Sequence, residues 1–143
     1  MAFKFRLETS LRLAKQELDI AQGLLAEELR KLQKARGQRD NQTEILVQAF
    51  QGQKMACLEK PRDLSLWQQY SLEQKDKLIK YIKIVEEQEE IVIEYRERLV
   101  ECRIKVEKFK RLKEKKMRLF YIQELKKEQT VIDEIAQNRT GRK

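Results

Sequence analysis

The sequence predicts an all-α fold in which two long helices form an antiparallel coiled-coil hairpin. Charged residues make up 39% of the 143 positions, and there are only 4 Gly and 1 Pro, a composition typical of long solvated helices. Apolar residues recur at alternating steps of four and three, which is the spacing of a coiled-coil seam. The single proline, Pro61, lies between the two stretches that show this spacing.

The turn is predicted at Lys60–Asp63. Pro61 lacks a backbone N–H and disfavours helical geometry at Lys60, and Asp63 is suited to cap the N-terminus of a new helix. We therefore expect one domain over 1–143, with a first helix at about 5–57, a turn at about 58–63 and a longer second helix at about 64–136.

The predicted seam of the first helix is mostly apolar. Its polar members gather in the half nearer the turn, so we expect that half to be less stable or to face another molecule. Gly23, Gly37 and Gly52 weaken the helix locally, each by about 1 kcal/mol relative to Ala. The seam positions are Leu7, Leu11, Ala14, Leu18, Ala21, Leu25, Glu28, Leu32, Ala35, Arg39, Gln42, Leu46, Ala49, Gln53 and Ala56.

The second helix shows the same spacing until it fails at Lys113 and Lys116. Its seam positions are Leu64, Trp67, Ser71, Gln74, Leu78, Tyr81, Val85, Gln88, Val92, Tyr95, Leu99, Cys102, Val106 and Phe109. Folding the two helices about the turn repeatedly places small residues opposite large ones, as interdigitated packing requires. The expected pairs are Ala56 with Trp67, Ala49 with Gln74, Gln42 with Tyr81, Ala35 with Gln88, Leu32 with Val92, Leu25 with Leu99, Ala21 with Cys102 and Ala14 with Phe109.

Charge blocks favour this hairpin over a parallel dimer. Basic residues within 30–39 would lie beside glutamates within 86–90, and acidic residues within 17–28 beside basic residues within 96–105. A parallel dimer would bring like charges together, so we expect a monomer.

The two predicted helices are unequal in length. Phe5 is expected to pair near residue 118, which leaves an overhang of about 118–143. Its apolar residues keep helical spacing, and an unpaired apolar stripe is suited to a partner, with fraying as the alternative. They are Met117, Phe120, Tyr121, Leu125, Ile132 and Ile135.

The net charge of +8 favours acidic partners, although it also agrees with a basic coiled coil that is merely soluble. No apolar run approaches the ~20 residues of a membrane span, and the N-terminus has no signal-peptide core. We therefore expect a cytoplasmic protein. Cys57 and Cys102, too far apart in the predicted hairpin for a disulfide, suit a reducing compartment.

Residue types argue against catalysis. The chain has no His, which excludes His-based acid–base pairs, triads and His metal sites, and two separated cysteines make no zinc site. A glycine-rich phosphate loop is also missing from the sequence. We expect no enzyme activity, no cofactor and no metal.

The run Arg103–Arg118 is strongly basic. It is suited to phosphate contacts, and Phe109 and Phe120 to base stacking, but Phe109 belongs to the predicted seam. A solvated or protein-docking face is the commoner meaning of such a run. Two alternatives to a protein-docking stalk stay open here: a basic coiled coil that binds nucleic acid, and a homodimeric structural spacer.

Four stretches of the chain are landmarks. They are Phe3-Lys4-Phe5-Arg6-Leu7-Glu8 with Leu11, Trp67-Gln68-Gln69-Tyr70 after the turn, the basic Lys105-Val106-Glu107-Lys108 to Lys115-Lys116 stretch, and Asp133-Glu134-Ile135-Ala136 with Arg139. With the length, the hairpin order and the basic overhang, they resemble the FliJ family, the small coiled-coil component of the flagellar type III export apparatus. The injectisome counterpart of that family shares the architecture, and the sequence does not separate the two systems.

The resemblance implies a non-enzymatic stalk that binds the hexameric export ATPase FliI, promotes its assembly and activity, and links it to the membrane-embedded export gate FlhA. It also implies export chaperones as partners and a peripheral place at the cytoplasmic face of the inner membrane, at the flagellar basal body. From the residues of the basic run we expect no specific nucleic acid as a partner. The implied ATPase-binding residues are Arg111, Lys113, Lys115, Lys116, Arg118, Phe120, Tyr121, Leu125 and Arg139. The implied gate-binding residues are Gln38, Gln42, Ile45, Ala49, Trp67, Tyr70, Glu73 and Lys77.

Overall fold

The computed structural model describes residues 2–141, and two α-helices account for most of them. Helix α1 spans Glu8–Glu59 and helix α2 spans Leu64–Gly141, with a short 3-10 helix at Pro61–Asp63 between them. The helices contain 52 and 78 residues, and no strand occurs within 2–141. They pack against each other as a helical hairpin, which confirms the predicted all-α fold and the longer second helix.

The turn lies where Pro61 predicts it. Lys60 leaves helical geometry with φ −136° and ψ 77°, and its N–H donates the last α1 hydrogen bond to the carbonyl of Ala56 at 3.0 Å. Asp63 is the last residue of the 3-10 helix and its N–H donates to the carbonyl of Lys60 at 3.0 Å. Helix α2 then begins at Leu64, as predicted. Helix α1 begins at Glu8, three residues later than predicted; residues 2–5 have no regular secondary structure and residues 6–7 form a turn.

The chain divides into two compact units. Unit 1 comprises Met1–Asp19 and Val100–Lys143, and unit 2 comprises Ile20–Leu99 with the turn. Each unit contains a segment of α1 packed against a segment of α2. That the chain is a single domain stays a prediction.

The seam of unit 2 buries the residues that the spacing predicts. Its core cluster contains Leu32, Ala35, Val85 and Val92, with Leu25 packed against it. Nearer the turn, Ala49 and Ala56 are buried, and Trp67 is half-buried. Every predicted seam position of unit 2 is buried or half-buried, so the predicted helix faces are confirmed there.

Two polar pairs in unit 2 differ from the expected partners. Gln42 donates from Nε2 to the carbonyl and Oε1 of Gln74, at 3.0 and 2.7 Å, and not to Tyr81. Gln88 was expected opposite Ala35, but its side chain donates to the carbonyl and Oε2 of Glu28, at 3.1 and 2.6 Å. A seam residue packs between successive residues of the partner helix, one heptad apart. Each glutamine contacts a neighbour that supplies two acceptors, since a buried amide without a partner is costly.

The seam of unit 1 continues further than predicted. Leu11, Ala14 and Val106 form its core cluster, with Leu18 and Phe109 packed against it. After Phe109 the half-buried positions of α2 are Leu112, Lys113, Met117, Phe120 and Glu124, and the series from Phe109 through Lys113, Met117 and Phe120 has steps of four, four and three residues. Such a four-residue insertion keeps a seam facing its partner while it breaks the strict heptad. The predicted failure at Lys116 agrees with its exposure, but Lys113 remains half-buried at the seam.

The overhang begins later than predicted. Residues 3–7, which include the turn at 6–7, lie against α2, and the ring of Phe3 packs on the ring of Phe120 with centroids 5.5 Å apart. From Leu125 to Gly141 every residue is exposed. The free part of α2 therefore starts about seven residues after the predicted position 118, because the N-terminal segment extends the cover of α2.

Candidate functional site

The net charge of the chain belongs to one unit. Unit 1 has 18 of the 32 Lys and Arg residues and 10 of the 24 Asp and Glu residues, and unit 2 has 14 of each. The net charge is therefore +8 for unit 1 and zero for unit 2. An acidic partner attracted by net charge is attracted to unit 1.

We call the nine predicted ATPase-binding residues the terminal surface: Arg111, Lys113, Lys115, Lys116, Arg118, Phe120, Tyr121, Leu125 and Arg139. All nine belong to unit 1, and seven of them are exposed. Two of its six cations are ion-paired. The Nζ of Lys113 lies 2.8 Å from Oε2 of Glu8, and the Nε of Arg111 lies 3.6 Å from Oε1 of Glu107. The ring of Phe120 packs on the ring of Phe3. The other four cations form no ion pair among residues 2–141.

The exposed end of α2 carries an apolar stripe. Tyr121, Leu125, Ile132 and Ile135 recur with coiled-coil spacing, and each leaves more than half of its area open to solvent. A lone helix of this length is marginally stable in water, and burial of an apolar stripe stabilises it. The stripe and the basic residues of the terminal surface together suit a partner that offers apolar and acidic groups.

The eight predicted gate-binding residues all lie in unit 2, but not all reach the surface. Gln42 is 6% exposed and Ala49 is 1% exposed, because both lie inside the seam. Gln38, Ile45, Tyr70, Glu73 and Lys77 are exposed, and Trp67 is half-buried. As placed, Gln42 and Ala49 hold the two helices together and present little area to a partner.

Gly52 allows the Trp67 ring to pack closely against α1. A Cβ added at Gly52 would lie 2.6 Å from Cη2 and 2.7 Å from Cε3 of the Trp67 ring, closer than van der Waals contact allows. Trp67 also packs edge-to-face on Tyr70, with ring centroids 6.0 Å apart. Gly52 therefore permits a close approach of the aromatic ring to α1, which sequence reasoning treated only as a weak point of the helix.

A second apolar surface in unit 2 was missed. We call it the Phe50 face, and its exposed members are Val47, Phe50, Leu72, Ile79 and Ile82. Phe50 follows the seam residue Ala49, whereas Ile45 precedes the seam residue Leu46, so the Phe50 face and Ile45 lie on opposite sides of the seam. The signal was present in the sequence as a stripe at 72, 79 and 82, next to the seam positions 71, 78 and 81.

The Phe50 face has a cleft with an unpaired polar atom. Phe50, Gln68, Leu72 and Lys75 line a cleft of about 340 Å³ that also borders Ser71. The Ser71 side chain is buried, and its Oγ has no hydrogen-bond partner among the described residues. A buried hydroxyl without a partner costs free energy, which a donor or acceptor placed in this cleft would recover.

The carboxylate of Glu28, which lies in the seam, has a lowered pKa. Gln88 donates to Glu28, and Lys31 lies 3.2 Å from its Oε1. The hydrogen bond from Gln88, opposed by burial and assisted by Lys31, lowers the pKa of Glu28 below its ordinary value. Glu28 therefore stays ionised at neutral pH inside the seam, where it fixes Gln88.

Within 2–141, neither helix contains a stretch that is long and apolar enough to cross a membrane. The same described residues contain no group of three or more His, Cys, Asp or Glu side chains placed to hold a metal ion.

Comparison with known proteins identifies a family. The sequence model of the family described as "Flagellar FliJ protein" matches residues 3–143, nearly the whole chain. No curated protein and no solved structure gave a match. The family match covers both helices, the turn and the terminal surface together. The chain therefore belongs to the FliJ family, whose members are components of the flagellar export apparatus.

Proposed function

We propose that the protein is a non-catalytic stalk of the flagellar export apparatus. Its terminal surface binds the hexameric export ATPase and promotes ATPase assembly and activity, and its turn half contacts the export gate. This function places the protein at the cytoplasmic face of the inner membrane, peripheral to the gate, and leaves the chemistry to the ATPase.

The observation that carries the ATPase contact is the confinement of the net charge. All of the +8 lies in unit 1, where the free end of α2 also exposes its apolar stripe. An acidic partner gains long-range attraction from the cations and short-range burial from the stripe. Unit 2, with equal numbers of both charges, supplies no such attraction.

The ATPase contact is tested by charge reversal. We expect Lys115→Glu with Arg118→Glu to abolish stimulation of ATP hydrolysis and hexamer formation, since both side chains are exposed cations of unit 1. The matched control is Lys80→Glu with Lys83→Glu, the same change on exposed lysines of unit 2. Equal stimulation by both variants and the wild type would refute the role of the terminal surface.

For the gate contact we propose the Phe50 face. It exposes five apolar side chains with few charges, and its cleft borders the unpaired Ser71 hydroxyl. Apolar contacts at the centre of an interface supply most of its free energy, and an acceptor or donor of the partner would satisfy Ser71.

The two sides of unit 2 can be compared directly. We expect Phe50→Glu with Ile79→Glu to remove binding of the purified cytoplasmic domain of the gate protein, while Ile45→Glu with Ile84→Glu, on the opposite side, retains it. Circular dichroism verifies that both variants remain helical. The reverse pattern would assign the contact to the side that carries Gln38, Tyr70 and Lys77.

A further inference from the structure

The N-terminal segment and α2 enclose a cleft in unit 1. Residues 2–5 have no regular secondary structure, and the Glu8 N–H donates to the Phe5 carbonyl at 3.2 Å where α1 begins. The segment from Phe3 to Leu7 forms one wall of the cleft and α2 from Leu112 to Gln123 forms the other. The volume is about 580 Å³, within the range of sites that bind ligands or peptide side chains.

The floor of the cleft is aromatic and aliphatic. The rings of Phe3 and Phe120 are 5.5 Å apart between centroids, inclined by 53°, and Leu119 is 45% exposed beside them. Such a floor accommodates one large apolar side chain, whose burial is worth roughly a 10-fold to 100-fold gain in affinity.

The rim of the cleft is cationic on both walls. Lys4 and Arg6 contribute from the N-terminal segment and Lys116 from α2, and no carboxylate lines the cleft. The ion pairs found among residues 2–141 include Lys113 with Glu8 but none of these three cations. The rim therefore has unmatched positive charge around an apolar floor.

We propose that this cleft binds an acidic peptide segment of a partner protein, with one large apolar side chain on the floor and carboxylates on both sides of it. One carboxylate pairs with Lys4 or Arg6 and another with Lys116. The inference rests on the proposed function only for the identity of the partner, since Lys116 and Phe120 belong to the terminal surface.

A peptide is favoured over a nucleic acid by the state of the floor. Phe120 already packs against Phe3 and against Tyr121, at 5.5 and 5.6 Å between ring centroids, which leaves little of its face for a stacked base. Carboxylates set beside an apolar side chain match the arrangement of the three cations around the floor.

The test uses the full chain and a fluorescein-labelled heptapeptide, Gly-Glu-Asp-Phe-Asp-Glu-Gly, in fluorescence anisotropy. We expect Lys116→Glu to weaken binding by about 10-fold or more, because a charge-assisted contact is lost and a repulsion is added. Lys110→Glu is the matched control, since it makes the same charge change on an exposed lysine of the same helix that lies outside both the cleft and the terminal surface, and should change affinity by less than about 3-fold.

Three results would overturn the inference. If both variants weaken binding equally, the peptide is held by general electrostatic attraction. If a peptide with Ser in place of Phe binds equally well, the apolar floor has no role. If oligothymidine competes and binds more tightly than the peptide, the ligand is a nucleic acid. The peptide assay contains no ATPase, so it is independent of the test of the proposed function. If the peptide binds as expected but the protein does not stimulate the ATPase, the proposed function is rejected and the cleft remains a peptide-binding site.

Discussion

Replacing Gly52 by Ala tests whether the close approach of Trp67 shapes the turn half. In an ordinary solvated helix, Gly→Ala is stabilising by about 1 kcal/mol because alanine restricts the unfolded chain and favours helix. Gly23 and Gly37 are such sites, since a Cβ there meets no atom within 4 Å. At Gly52 the added Cβ would meet the Trp67 ring.

The magnitude follows from the distances. The ring atoms at 2.6 and 2.7 Å must move by about 1 Å to regain ordinary contact, and overpacking of this kind costs about 1–3 kcal/mol. Subtracting the helix gain of about 1 kcal/mol leaves Gly52→Ala neutral to destabilising by about 2 kcal/mol. We expect its free energy of unfolding to lie about 1–3 kcal/mol below that of the matched variant Gly37→Ala.

Urea unfolding followed by circular dichroism at 222 nm gives the free energies. Trp67 is the only tryptophan, so its fluorescence reports the local change without any label. We expect a red-shifted emission in Gly52→Ala, as the ring moves towards solvent, and no shift in Gly37→Ala.

A second background separates the clash from other effects of the substitution. In a Trp67→Ala chain the ring is absent, so Gly52→Ala should stabilise as much as Gly37→Ala does. If Gly52→Ala stabilises the wild-type chain as much as Gly37→Ala does, and Trp67 fluorescence is unchanged, then the close approach of the ring does not depend on glycine at position 52.

Three further outcomes are expected. Gln42→Leu alone should lower the free energy of unfolding by about 1–3 kcal/mol, because it leaves the Gln74 amide buried without its partner. Combining it with Gln74→Leu should recover most of this loss, which a double-mutant cycle measures. The pKa of Glu28 is lowered chiefly by the hydrogen bond from Gln88, so its stabilising effect is present above about pH 4.3 and disappears as pH falls through the lower folded pKa. Thermal melts at about pH 5 and about pH 3 should therefore show a smaller fall for Glu28→Gln than for the wild type. Phe3→Ala should raise amide hydrogen exchange in residues 2–8 by about 10-fold and leave unit 2 unchanged, because it removes the ring that holds the N-terminal segment on α2.

The seam was predictable because its pattern is local. Leu11, Ala14 and Leu32 repeat at steps of three and four, and only one face of a helix can hold such residues. The turn was equally predictable, since Pro61 removes a donor and excludes helix at the residue before it.

The partner of each polar seam residue was not predictable from spacing. Gln42 lies between two residues of α2 that are one heptad apart, and apolar periodicity does not distinguish them. The choice of Gln74 over Tyr81 depends on which neighbour offers acceptors at bonding distance, which only coordinates give.

The candidate surfaces divide in the same way. The basic run of unit 1 could be read from the sequence because charge is a property of composition, whereas the role of the terminal surface in binding the ATPase stays a prediction. The cover of α2 by Phe3 could not be predicted, because a segment without regular secondary structure has no helical periodicity in its sequence. The gate-binding prediction included Gln42 and Ala49, whose burial follows from the same seam spacing that had already placed them between the helices.

The glutamine hydrogen bonds within the seam also govern how the two helices of unit 2 respond to a shearing force. Sliding α2 along α1 by one heptad, about 10 Å at about 1.5 Å per residue, would again match apolar layers with apolar layers. It would break the bonds of Gln42 to Gln74 and of Gln88 to Glu28, and each polar group left buried costs about 1–3 kcal/mol. The seam therefore resists slippage at discrete points, and a load below that barrier is transmitted along the helices without loss of alignment.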